Sequence, residues 1–250
     1  MNQSIKRAFK IIETIAFGEN DELSIVELSK KTGLDGATIY RFLTTLGSLG
    51  IVEKNRKNKK YRLTLELYKI GSNIVYKSNG NILSYSIEKI KSLSKKYNET
   101  INLSTFEKNQ VIYVYKITST NSVKYDIRIG SQHPAYCTAA GKIFLAYQDE
   151  TFINSYFEKI KLLKYTKNTT VDINKIKNEL KLAKKNRYAF DKEEYIDGAN
   201  CIAVPIISFD NSIDYVISIS LPHVRLNLYK PSDILNDLLK SVDEIHKLIK

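Results

Sequence analysis

The sequence predicts an α+β chain in two parts. A helical N-terminal segment ends in a basic hairpin, and a larger C-terminal domain is built on a mostly antiparallel sheet with helices at both ends of its sequence. Two observations carry this. Residues 23–63, LSIVELSKKTGLDGATIYRFLTTLGSLGIVEKNRKNKKYRL, run through capped helix, glycine turn, second helix and hairpin. Residues 101–129 and 201–221 hold alternating, β-branched and aromatic runs, whereas the stretches around them keep helical periodicity. Strand runs grouped apart from helical runs imply α+β rather than a parallel βαβ array.

Taken in order, Ile5, Ala8, Ile11, Ile12 and Ile15 form one stripe of a first helix. Ser24 and Glu27 make an S-x-x-E capping box at the start of a second. Gly33 supplies its left-handed stop, and Asp35 caps a third helix. In that helix Ile39, Phe42, Leu43, Leu46 and Leu49 recur at core spacing. The opposite face presents Ala37, Tyr40, Arg41, Thr44 and Ser48, with Thr38 and Thr45 at its edges. After Gly50, Val52 and Tyr61–Leu63 suit strands flanking the basic turn KNRKNKKYR. This is the order of a winged helix-turn-helix, which lays its recognition helix in the DNA major groove. Thr38, Tyr40, Arg41, Thr44 and Thr45 are the expected groove contacts. Arg56, Lys57, Lys59 and Lys60 are the expected backbone contacts, adding affinity that falls with salt.

Thr64 to about Lys77 reads as a linker helix, broken by Ser78-Asn79-Gly80-Asn81, and residues 82–97 as a further amphipathic helix. Strands are expected at 101–106, 110–117 and 123–129, with Glu107-Lys108-Asn109 turning between the first two. Helices are expected at 139–147, 151–159 and 174–186. Two more strands, 201–207 and 213–221, are joined by Ser208-Phe209-Asp210-Asn211, and a last helix starts at Ser232. The expected domains are 1–63 (DNA-binding), 64–80 (linker helix) and 81–250 (effector-binding).

The chain has 250 residues, with 39 Lys+Arg against 27 Asp+Glu, a net charge of +12. That balance favours an anionic partner without choosing a fold. No stretch approaches the roughly 20 apolar residues of a membrane span. The N-terminal apolar stripe is interrupted by Glu13 and belongs to the first helix, so no signal peptide is read. With only Cys137 and Cys201, this points to a reducing cytoplasm. The cysteines and three histidines are widely spaced and make no metal-site pattern. No cofactor is expected.

Three stretches together resemble the IclR-type transcriptional regulators along nearly the whole chain. They are the N-terminal helices and wing, RIGSQHPAYCTAAGKIFLAY (128–147), and YAFDKEEYIDGANCIAVPI (188–206) followed by ISISLP (217–222). Tyr136 stands where the family usually has His, and Gly36-Ala37 where it commonly has a longer, polar pair. The resemblance implies a homodimer or homotetramer on double-stranded operator DNA. It also implies a GAF-like C-terminal domain holding a small organic effector, with Ala139, Ala140, Asp191, Cys201, Ser218 and Ser220 as its carried-over contacts.

The residues add a physical reading. Thr138-Ala139-Ala140-Gly141 are small where a helix begins, so a ligand can approach free N–H groups at the positive end of the helix dipole, which favours a carboxylate. Ser218 and Ser220 share one face of a strand. Asp191 would accept from a ligand hydroxyl, and Tyr125, His133 and Tyr136 could line the mouth. Two other functions stand beside this one. One is a thiol-dependent enzyme using Cys137 or Cys201, which would need an adjacent base. The other is a basic module binding RNA or membranes without sequence preference.

Overall fold

The structure, a computed structural model, describes residues 2–208 and 211–248, and the side chains of all of these except 74–81. It divides into two units, Met1–Gly80 and Asn81–Lys250.

In the first unit, helices α1 (Gln3–Ala16), α2 (Ile25–Thr32) and α3 (Gly36–Ser48) precede the hairpin β1 (Val52–Lys54) and β2 (Tyr61–Leu63). Ile11, Ile12, Ile15, Leu28, Ile39, Leu43 and Leu46 bury one face of each helix, and Leu23, Val52 and Tyr61 close the cluster. The Ser24 hydroxyl accepts from the Glu27 N–H while the Glu27 carboxylate accepts from the Ser24 N–H, a complete capping box. Gly33 then reverses the chain at φ 71°, where a side chain would strain the backbone, and Asp35 caps α3 through the Thr38 N–H.

Three expected core residues, Ile5, Ala8 and Leu49, lie outside this cluster. Ile5 is 58% exposed, because α1 buries nothing before Ile11. Leu49 is 61% exposed. The turn at Gly50 brings Ile51 back, its N–H on the Leu46 carbonyl, and Ile51 packs against the cluster instead. Phe42 is half-buried against it.

The expected break at 78–81 is absent: α4 runs unbroken from Glu66 to Tyr97. That stretch holds no proline, and a glycine inside a helix costs only about 1 kcal/mol.

The second unit is a six-stranded, wholly antiparallel sheet in the order β5-β4-β3-β8-β7-β6. Its strands are β3 (Thr100–Glu107), β4 (Gln110–Ile117), β5 (Gln132–Pro134), β6 (Ala189–Lys192), β7 (Ala199–Ile207) and β8 (Ile213–Pro222). Lys108 and Asn109, at φ 50° and 67°, form the two-residue turn of the β3–β4 hairpin. The turn expected between β7 and β8 includes Phe209 and Asp210, which lie outside the described residues.

Residues 123–129, expected as a strand, form none. β5 takes the place beside β4, pairing His133 with Val111. Tyr125 and Ile127 pack into the core and Asp126 accepts from Lys116. Strand β6 was not expected: four residues at a sheet edge are too short to show a period.

One sheet face carries Ile101, Leu103, Ile202, Val204, Ile206, Ile217, Ile219 and Leu221 under the end of α4 and α8 (Pro231–Leu248). The other lies under α5 (Ala139–Ala146), with α6 (Glu150–Lys159) and α7 (Ile173–Asn186) beyond it.

Candidate nucleic-acid interface and effector site

Burying Ile39, Leu43 and Leu46 turns the other side of α3 outward. Tyr40, Arg41, Thr44 and Thr45 are all exposed, and Thr38 is half-buried. The Thr38 hydroxyl donates to Asp35, so it belongs to the cap as much as to the face. Thr44 and Thr45 donate to the Tyr40 and Arg41 carbonyls, which leaves their methyl groups and lone pairs outward. Arg41 has no ion pair among the described residues.

The hairpin joins the helices by a bridge between Leu23 and Tyr61, with N–H···O distances of 2.9 and 2.8 Å. Its cations are not equivalent. Lys60 meets Glu27 at 3.4 Å and Arg62 meets Glu53 at 2.6 Å. Arg56, Lys57 and Lys59 are exposed and carry no ion pair among the described residues.

The second unit brings the six expected effector contacts to one place. Asp191 on β6 faces Cys201 on β7, which faces Ser220 on β8, which faces Thr100 on β3. One step along, Ala189, Ala203, Ser218 and Asn102 make a parallel row. Period-two alternation puts both rows on the α5 side of the sheet. The result is a patch of small and polar groups within an otherwise apolar face.

The Ser220 hydroxyl accepts from the Asn102 amide at 3.2 Å and from the Cys201 thiol at 3.3 Å. The Asn102 Oδ1 is buried and accepts from nothing described. No motif or spacing singles out Asn102; only strand register reveals it. Above the patch, Ala139 and Ala140 open α5, and their N–H groups precede the first intrahelical bond. Thr138 caps the helix, accepting from the Gly141 N–H and donating to the Pro134 carbonyl. Gly141 is obligatory here, since a Cβ would sit 2.3 Å from the Ala135 backbone.

Aromatic rings stand nearby. His133 packs against Tyr113 and Tyr195, with centroids 5.0 and 4.8 Å away. Tyr136 turns elsewhere, its hydroxyl donating to the Leu163 carbonyl, so it does not line the mouth as expected.

Burial sets the protonation states. It lowers His133 to about 4, leaving a neutral ring whose Nδ1 is buried with no hydrogen-bond partner among the described residues. It raises Asp191 to about 7, although the Glu194 N–H donates to that carboxyl. The neighbouring Glu194 is tied to buried Lys142 at 2.5 Å. Burial also pushes the Cys137 and Cys201 thiols far up. A nucleophilic thiol needs the opposite shift, so nothing here favours the enzyme reading.

Residues 75–247 match the family described as bacterial transcriptional regulator IclR C-terminal, and residues 4–56 match the IclR helix-turn-helix domain. The HTH-type transcriptional regulator KdgR of Escherichia coli is 31% identical over 224 residues, 90% of this chain and 84% of that protein. The transcriptional repressor IclR of the same organism is 26% identical, covering 97% and 88%. Among solved structures, an IclR homolog from Microbacterium hydrocarbonoxydans crystallised with 4-hydroxybenzoate superposes with TM-score 0.84 at 18% identity, over 98% of each chain. No helix among the described residues is long and apolar enough to cross a membrane.

Proposed function

The chain belongs to the IclR family of transcriptional regulators, and on that premise we propose how its two parts divide the work. It is a DNA-binding regulator with a C-terminal effector domain. In our reading residues 1–63 bind DNA, 64–80 link, and 81–250 bind the effector. Tyr40, Arg41, Thr44 and Thr45, with Thr38 at the edge, read base edges in the major groove, and Arg56, Lys57, Lys59 and Lys60 hold the phosphate backbone. The observation that carries this is the outward face of α3 beside a hairpin tip on which Arg56, Lys57 and Lys59 carry no ion pair among the described residues, Lys60 alone being paired, with Glu27.

The proposed effector is a hydroxylated organic carboxylate. Its anionic end approaches the Ala139 and Ala140 N–H groups. Its hydroxyls meet Asp191, Ser218 and Ser220, with Cys201 and Asn102 between them and the rings of His133, Tyr113 and Tyr195 beside them. The ligand of the Microbacterium homolog, 4-hydroxybenzoate, falls in this chemical class. The working form is a homodimer or homotetramer; Ile5 and Phe9, one turn apart on α1, are more than half exposed and would gain from a second copy. We place the chain in a reducing cytoplasm, where a DNA-binding regulator would meet its operator.

The test is an anisotropy titration of the full chain against duplexes from upstream of its own gene, with and without a panel of hydroxylated and plain carboxylates. Specific binding that one such acid shifts supports the proposal. Equal affinity for every duplex, or indifference to every acid, overturns the corresponding half.

A further inference from the structure

One acidic side chain sits where an electrostatic reading of a DNA-binding hairpin would least want it. Glu22 lies just before the first wing contact, Leu23, which bridges to Tyr61. Its carboxylate reaches the turn between β1 and β2, accepting from Asn55 Nδ2 at 3.0 and 3.1 Å and from Asn58 Nδ2 at 2.7 Å.

The two asparagines are used identically. Asn55 Oδ1 accepts the Lys57 N–H and Asn58 Oδ1 accepts the Lys60 N–H, each at 2.9 Å and each two residues on. These are Asx turns, in which a side-chain oxygen stands in for a backbone carbonyl. With both oxygens engaged, only the amide N–H groups remain for Glu22, and a group that accepts from two amides at once suits a carboxylate. The remaining backbone bonds, Asn55 N–H to Lys60 O and Lys59 N–H to Asn55 O, complete the turn, with Lys59 held at φ 60°. Arg56, Lys57 and Lys59, the tip cations without an ion pair, therefore stand on a loop whose shape is fixed at both asparagines.

We infer that Glu22 is a positioning residue for DNA binding: its carboxylate clamps Asn55 and Asn58 and so holds Arg56, Lys57 and Lys59 in the arrangement that meets the phosphate backbone. This rests on the reading that the wing touches that backbone. The clamp contributes by pre-ordering a loop that would otherwise lose freedom on binding. It keeps its charge, since the Asn58 and Asn55 hydrogen bonds hold the carboxyl below its ordinary range.

Charge alone and positioning make opposite predictions. Removing a carboxylate beside a phosphate-binding hairpin should tighten DNA binding if only charge matters. If the clamp matters, Glu22→Ala weakens it. Glu22→Gln removes the same charge but keeps one acceptor oxygen, so it should bind more tightly than Glu22→Ala.

The experiment is an anisotropy titration of the full-length chain with a nonspecific duplex and an upstream duplex at two salt concentrations. The variants are Glu22→Ala, Glu22→Gln and Lys57→Ala. Amide exchange at Lys57 and Lys60 is followed in each. The expected result is about fivefold weaker binding for Glu22→Ala on both duplexes, partial or full recovery in Glu22→Gln, and faster exchange at both amides in the alanine variant only. Equal tightening by Ala and Gln overturns the clamp, as does unchanged exchange in Glu22→Ala. If Lys57→Ala weakens binding while Glu22→Ala does not, the wing reading survives and the clamp falls. If Lys57→Ala binds like the parent, the wing reading itself has failed and takes the clamp with it.

Discussion

Replacing Asp191 by Asn removes a carboxyl that burial holds at about 7, against an ordinary value of 3.8. The folded chain therefore binds this proton more tightly than the unfolded chain does. Its contribution is most favourable below 3.8 and is lost progressively as pH rises, levelling off above about 7. Worked through the linkage relation, the loss between pH 5 and pH 8 is about 2–3 kcal/mol. His133 titrates partly in the same window with the opposite sign: its folded value of about 4 lies below the ordinary 6.5, so its contribution is lost as pH falls. Both proteins keep His133, so it cancels in their difference. The assay is urea unfolding of the parent and Asp191→Asn at pH 5, 6, 7 and 8, following the C-terminal unit by near-ultraviolet signals from its tyrosines. The parent should lose about 2–3 kcal/mol relative to the variant across that range. Parallel profiles would refute the reasoning, because they would mean that Asp191 is already ionised at pH 5 in the folded chain.

The same proton bears on the effector. Protonated Asp191 can still hydrogen-bond a ligand hydroxyl, whereas ionised Asp191 repels the ligand's carboxylate across the same site. Affinity for a carboxylate effector should therefore fall as pH rises through 7, and calorimetry at pH 6 and 8 should find this dependence flattened in Asp191→Asn. Gly141→Ala should destabilise the second unit by about 1–3 kcal/mol and weaken effector binding, because its Cβ would strike the Ala135 backbone; thermal melts with and without ligand check both. On DNA, Arg41→Ala should change the preference between duplexes, whereas Lys57→Ala should weaken all of them alike and reduce the salt slope by about 1. Lys60→Ala, already paired with Glu27, should reduce that slope less than Lys57→Ala does.

Local rules made the first unit readable. Ser24 and Glu27, Gly33 and Asp35 each act within a few residues, so their capping and turning roles show in the sequence itself. The misplaced Leu49 shows where that stops: helical spacing continues past Leu46, but only the turn at Gly50 decides whether Leu49 or Ile51 reaches the core. The second unit was legible where strands were long. β7 and β8 stood out, whereas β6 did not, and residues 123–129 had strand composition but lost the edge of β4 to His133 and its neighbours. Family resemblance supplied Asp191, Cys201, Ser218 and Ser220 as separate positions. Register turned them into two rows and added Asn102, which no spacing rule could reach from 116 residues away from Ser218.

The charge argument needed the structure most. A net +12 suggests that every wing cation serves DNA equally. Yet Glu27 and Glu53 hold Lys60 and Arg62, while Glu22 makes no ion pair with a wing cation among the described residues and instead fixes two asparagines. Acidic residues around this hairpin thus do two jobs: two compete with phosphate for Lys60 and Arg62, and one shapes the loop that presents the rest. Salt dependence should follow the three unpaired tip cations, Arg56, Lys57 and Lys59, and not the formal charge. At about 0.9 counterions per phosphate contact, that is a wing contribution of about 3 to the slope for each copy. A wing contribution to the slope that survives neutralising those three and disappears only when Lys60 and Arg62 are neutralised too would mean that DNA breaks the Lys60–Glu27 and Arg62–Glu53 pairs on binding, recruiting cations that the free protein holds back.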